Sequence, residues 1–134
     1  MAMLTEIEGV GEAYAAALAA VGVKSVEALL QAAATAKGRQ ELAEKTGISE
    51  KLILRWVNHA DLFRIKGVGS EYAELLEAAG VDSVPELAQR NPANLLEALT
   101  RCNAERQRVR RLPTLSEVEA WVAEAKTLPR VVMH

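Results

Sequence analysis

Two stretches decide the fold: Ile7-Glu8-Gly9-Val10-Gly11 and Ile65-Lys66-Gly67-Val68-Gly69. Each sets a pair of glycines in front of an apolar series at helical spacing. That series is Tyr14, Ala15 and Leu18 in the first case, and Tyr72, Ala73 and Leu76 in the second. Glycines so placed predict a very tight turn between two helices, because glycine accepts positive φ and lets two backbones approach closely. The small alanine lets the second helix lie against the first, while Ile, Val and Leu plug the junction. The second glycine stands where a helix begins. Its amide and its neighbours' amides therefore project as donors without helical partners, which suits an anion.

Both stretches belong to a longer repeat. Laid over each other without a gap, Ile7–Leu29 and Ile65–Leu87 share thirteen identities in twenty-three positions. Each copy also ends in a tryptophan helix, Ile53-Leu54-Arg55-Trp56-Val57 and Val118-Glu119-Ala120-Trp121-Val122, with a longer middle in the later copy. A duplication follows, with one repeat over 1–64 and the other over 65–134. Gly22 and Gly80 stand where left-handed residues close helices. Ser83 with Glu86, and Thr114 with Glu117, have capping-box spacing, and Ser49 and Asn91-Pro92 open further helices. The expected fold is all-α, with about nine short helices around one shared Ala/Leu/Val core. Trp56 and Trp121 are expected as equivalent anchors, and Leu62, Phe63 and Ile65 as the join that makes one compact body.

Composition narrows the function. No apolar run in the 134 residues is long enough to span a bilayer, and no charged start with a greasy stretch marks a secretion signal. The single cysteine, Cys102, fits a reducing compartment, so the cytoplasm is expected. Net charge is −2, yet it is unevenly spread. Between 101 and 111, Arg101, Arg106, Arg108, Arg110 and Arg111 face only Glu105, a local +4, leaving −6 elsewhere. Local potential, not the total, steers a charged partner.

Enzyme chemistry finds no foothold. His59 and His134 are the only histidines, and Cys102 continues the apolar series of Leu95 and Leu99. Metal-ligand spacing, a phosphate loop and a nucleophile elbow are all missing from the sequence. No catalytic residue, metal, cofactor or small-molecule substrate is expected. The run Arg39–Trp56 has the look of a helix-turn-helix, with Gly47 in its turn and Lys51, Arg55 and Asn58 as potential base readers. Its second helix is apolar on most sides, however, and reads better as a buried packing unit.

The pattern Leu4-x2-Ile7-x-Gly9-Val10-Gly11-x3-Ala15-x2-Leu18 and its copy from Leu62 to Leu76 resemble the helix-hairpin-helix family. That family serves DNA repair, replication and recombination. The resemblance implies hairpin amides that grip a phosphate of the DNA backbone without reading sequence, and paired units that straddle the minor groove. The whole chain also resembles a bacterial family of tandem helix-hairpin-helix proteins known only as a domain of unknown function. Leu42–Lys51, Trp56–Leu62 and Val109–Pro113 carry that likeness. Departures split the two hairpins. Binding members usually carry Lys, Arg, Ser or Thr just after the second glycine, whereas Glu12 follows the first hairpin here and Glu8 lies inside it. The second hairpin offers Lys66 and Ser70, although Glu71 follows.

The sequence therefore predicts a non-enzymatic module. Its candidate anion-binding residues are Lys66, Gly67, Val68, Gly69 and Ser70, joined by Arg106, Arg108, Arg110 and Arg111. The expected partner is duplex nucleic acid, held weakly and without sequence preference; the alternative is another protein, bound by a scaffold that kept the fold without binding DNA.

Overall fold

The computed structural model describes residues 2–134, and among them every regular element is helical. A 3-10 turn at Leu4–Glu6 precedes α1 (Glu12–Ala20), α2 (Val26–Ala32), α3 (Ala36–Thr46) and α4 (Glu50–Leu62). Then come α5 (Ser70–Ala78), α6 (Val84–Ala88), α7 (Pro92–Glu105) and α8 (Leu115–Thr127).

Short polar side chains set most helix starts, each accepting an amide that the helix leaves unpaired. Ser25 accepts from Ala28, Thr35 from Gly38, Ser49 from Leu52, Asn91 from Asn94 and Thr114 from Glu117. At Thr114 the capping box is reciprocal, because the Glu117 carboxylate accepts the Thr114 amide. At Ser83 the hydroxyl accepts the Glu86 amide at 3.4 Å, but the Glu86 carboxylate lies 3.5 Å from Arg90 Nε instead. The expected box there is half made, since a guanidinium outcompetes a backbone amide for the carboxylate. Left-handed Gly47 ends α3.

The chain divides into two compact units, residues 1–61 with 131–134, and residues 62–130. In the first, Leu18, Leu29, Ile53, Trp56 and Val57 are fully buried. Its least foreseeable core member is Arg39, which is 6 % exposed. Arg39 Nη1 donates to the carbonyls of Ala33 (3.0 Å) and Ala34 (3.2 Å), and Nη2 to Met133 (2.8 Å). Burial pulls its pKa below the ordinary arginine value. The three carbonyls compensate the buried charge and fix residues 131–134 to this unit, where the Met133 amide also donates to Ala34 O. In the second unit, Leu62, Ile65, Leu75, Leu76, Leu87, Leu95, Leu99 and Val118 surround Trp121, with α6 and α7 packed on α8.

Each unit contains one of the glycine turns, built alike. Gly9 and Gly67 both have φ +91°. A Cβ on Gly9 would stand 3.6 Å from Trp56 Nε1, and one on Gly67 would stand 3.5 Å from Trp121 Nε1. The partner tyrosines lean on the same indoles. Tyr14 and Trp56 have ring centroids 5.0 Å apart at 59°, and Tyr72 and Trp121 5.1 Å apart at 56°. Tilted pairs at such separations are favourable aromatic contacts. Space is thus adequate at Gly67; what excludes other residues is its positive φ.

Gly69 is different, being extended (φ −104°) with open space where a side chain would project. Serine at these two sites should therefore have opposite effects. Gly67→Ser is expected to lower stability by about 1–2 kcal/mol through left-handed strain. Gly69→Ser, at the N-cap of α5, is expected to be neutral or stabilising by about 0.5 kcal/mol. Urea unfolding followed by tryptophan fluorescence checks both, and equal costs at both sites would contradict this account of the turn.

Candidate nucleic-acid interface

α5 positions the second hairpin. Its first turn starts on Gly69, whose carbonyl accepts the Ala73 amide, while the Val68 amide closes back onto Ile65 O. Lys66, Gly67 and Gly69 are exposed and Ser70 is half-buried. Val68 is a core plug, only 5 % exposed, so it shapes the turn and offers a ligand no side chain. One hairpin donor is already engaged: the Lys66 amide donates to Glu124 Oε1 at 3.0 Å. Glu124 lies on α8 three residues after Trp121, and residues so spaced share a helix face. The indole beneath Gly67 thus delivers this carboxylate to the hairpin.

The arginine cluster straddles a helix end. α7 stops at Glu105, and the Arg106 amide closes it by donating to Cys102 O. Beyond that point Asn103 folds the chain back. Its Oδ1 accepts the amides of Arg108 (2.8 Å) and Val109 (3.2 Å). Arg108 turns inward, with Nη1 donating to the carbonyls of Cys102 and Arg106, both at 3.2 Å, and Nε 3.9 Å from Glu74 Oε1. Arg108 accordingly closes α7 and is spent on structure. Arg106 and Arg110 are exposed.

Arg111 makes a two-pronged pair with Glu117, at 2.8 and 2.9 Å. The guanidinium, aided by the Thr114 amide, holds the Glu117 carboxyl down at about 2 from an ordinary 4.5. Meanwhile the Arg111 carbonyl accepts the Tyr72 hydroxyl at 2.8 Å. Tyr72 is in the first turn of α5, so the arginine segment comes alongside the helix that begins at the hairpin.

Of the nine candidate residues, Lys66, Gly67, Gly69, Ser70, Arg106, Arg110 and Arg111 present accessible surface, although the Arg111 guanidinium is taken up by Glu117. Val68 and Arg108 serve mainly to hold that surface in shape. Sequence reasoning gave Glu117 only as a capping residue and Tyr72 only as part of an apolar helix series, and assigned Glu124 and Asn103 no part in the site. The first hairpin carries Glu8 and Glu12, both exposed. On α4, Lys51 and Arg55 are exposed, but every residue from Trp56 to Leu62 is buried. Asn58 there is 7 % exposed, with Oδ1 2.8 Å from His134 Nε2, so it is unavailable to read a base. Cys102 is half-buried with Sγ 3.6 Å from Ala78 O. Among the described residues no three His, Cys, Asp or Glu side chains gather as a metal ion would require, and no helix is long and apolar enough to cross a membrane.

Residues 8–128 match a domain of unknown function, DUF4332. The chain belongs to the DUF4332 family. The DUF4332 match begins inside the first hairpin and takes in α1 to α8 as well as the second hairpin and the arginine segment. No curated protein and no solved structure matches the chain. The DUF4332 assignment thus brings no activity with it, and function must come from the surface itself.

The Arg111–Glu117 pair makes a pH-dependent contribution with a defined sign. Because folding depresses the Glu117 pKa, its stabilisation is complete above about 4.5 and is lost as pH falls towards about 2. A carboxyl-carbon NMR titration should place the Glu117 midpoint near 2. In Arg111→Gln it should rise towards the ordinary range while staying somewhat depressed by the Thr114 amide. An unchanged midpoint in that variant would show that the guanidinium is not the cause.

Proposed function

We propose that the chain is a tandem helix-hairpin-helix module without enzymatic activity, working in the bacterial cytoplasm, whose second hairpin holds a nucleic-acid backbone. Lys66–Ser70 supply one arm of the surface, and the exposed Arg106 and Arg110 supply the other. The observation that carries this proposal is the Tyr72–Arg111 hydrogen bond, which joins the most basic segment of an acidic chain to the first turn of α5. Cations beside the first amides of a helix suit phosphate oxygens, and phosphates alone carry no sequence information. Binding is therefore weak and indifferent to base sequence. The first hairpin, with Glu8 and Glu12, is architectural.

A protein-interaction scaffold is the competing proposal, and one feature favours it: Glu124 and Glu117 already engage a hairpin amide and a cation. Salt dependence separates the two. With Lys66, Arg106 and Arg110 each on a phosphate, log K for duplex DNA should fall against log salt with a slope of about −2 to −3. Lys66→Glu and Arg110→Glu should each weaken binding and flatten that slope by about one unit. A slope near zero, or binding indifferent to both substitutions, would overturn the nucleic-acid proposal in favour of the scaffold.

A further inference from the structure

We propose that Glu124 is a built-in competitor for the second hairpin, an autoinhibitory carboxylate that an incoming phosphate must displace from the Lys66 amide. The proposal rests on the nucleic-acid function above for the identity of the natural ligand. Its geometry stands independently. Glu124 Oε1 accepts the Lys66 amide at 3.0 Å, a charge-assisted bond of the kind a phosphate oxygen would make. The carboxylate arrives from α8, an element separated by some fifty residues of chain, so this is not a local cap of the turn.

Rigid placement makes the competition effective. Trp121 is 3 % exposed, with its Nε1 beneath Gly67 and its ring against Tyr72. The α8 face bearing Glu124 is thereby fixed beside the hairpin, and the carboxylate acts at high effective concentration. An exposed amide would otherwise be satisfied by water, which an anion displaces easily. A carboxylate in that place both occupies the donor and sets a like charge at hydrogen-bond range from any phosphate. The Lys66 side chain, exposed on the same turn, then attracts an anion that the backbone beside it is not free to receive. The hairpin binds weakly because its own chain supplies a substitute for the ligand.

The test compares the chain itself with Glu124→Ala and Glu124→Gln, and uses Lys66→Glu as the control for duplex binding. The glutamine oxygen still accepts the Lys66 amide, so this variant removes charge alone and serves if the alanine variant fails to fold. Two titrations are followed, inorganic phosphate by the NMR shift of the Lys66 amide, and a short DNA duplex by affinity. Loss of one like charge at this range should tighten the phosphate response by about fivefold in Glu124→Gln, and by at least as much in Glu124→Ala, where the amide is also vacated. The same phosphate response in both Glu124 variants as in the unaltered chain, or a weaker one, overturns the competitor. Tighter phosphate binding without any duplex binding would uphold the competitor while refuting nucleic acid as its ligand. Duplex binding lost in Lys66→Glu but unaltered by either Glu124 variant, with phosphate likewise unaltered, would do the reverse.

Discussion

A glycine with positive φ seated on the edge of a tryptophan governs the candidate interface. With Gly67 at φ +91° the chain turns sharply enough to bring α5 back over Trp121, and Tyr72 then leans on the same indole. Three consequences follow from that contact. The start of α5 is held at the surface with its first amides outward. The Tyr72 hydroxyl reaches the Arg111 carbonyl and so tethers the basic segment. And α8, held by its tryptophan, sets Glu124 on the Lys66 amide. One steric constraint thus brings together the candidate anion site, the basic segment and the Glu124 carboxylate. Gly9, Trp56 and Tyr14 repeat the mechanical part in the first unit, where acidic Glu8 and Glu12 stand in place of Lys66 and Ser70.

Charge at the second hairpin is more compensated than the local +4 of residues 101–111 suggests. Arg108 is drawn inward by two carbonyls and Glu74, and Arg111 is matched by Glu117. Arg101, Arg106 and Arg110 stay exposed alongside the Glu117-matched Arg111, as does Lys66 on the hairpin. Exposed ion pairs add little stability individually, so the worth of Arg111–Glu117 lies in fixing the loop. It locks the Thr114 cap of α8 to the segment that Tyr72 tethers.

Much of this organisation is legible in the sequence because it is set by local rules. Helix starts follow from Ser49, Asn91 and Thr114, the turns from their glycines, and the two buried anchors from the recurring tryptophans. The all-helical class follows from the same signals. Illegible features are those made by side chains meeting across non-helical chain. Arg39 has the pattern of a surface cation, yet three carbonyls hold it inside. Arg111 and Glu117 are six apart across Pro113, outside helical pairing rules, so Arg111 passed for an unmatched cation. Glu124 resembles any solvated carboxylate until Trp121 is known to lie under Gly67. The spacing of Trp121 and Glu124 on one helix face held that information, but only the fold shows which surface the face meets.

The central claim is that the two hairpins share a construction and differ in use, the second binding a backbone that the first does not. Residue-resolved amide NMR during titration with a short DNA duplex tests this most directly. The account requires shifts concentrated at Lys66–Glu71 and Arg106–Arg110, with Glu8–Ala13 unmoved. Shifts of equal size at both hairpins, or confined to the first, would contradict it.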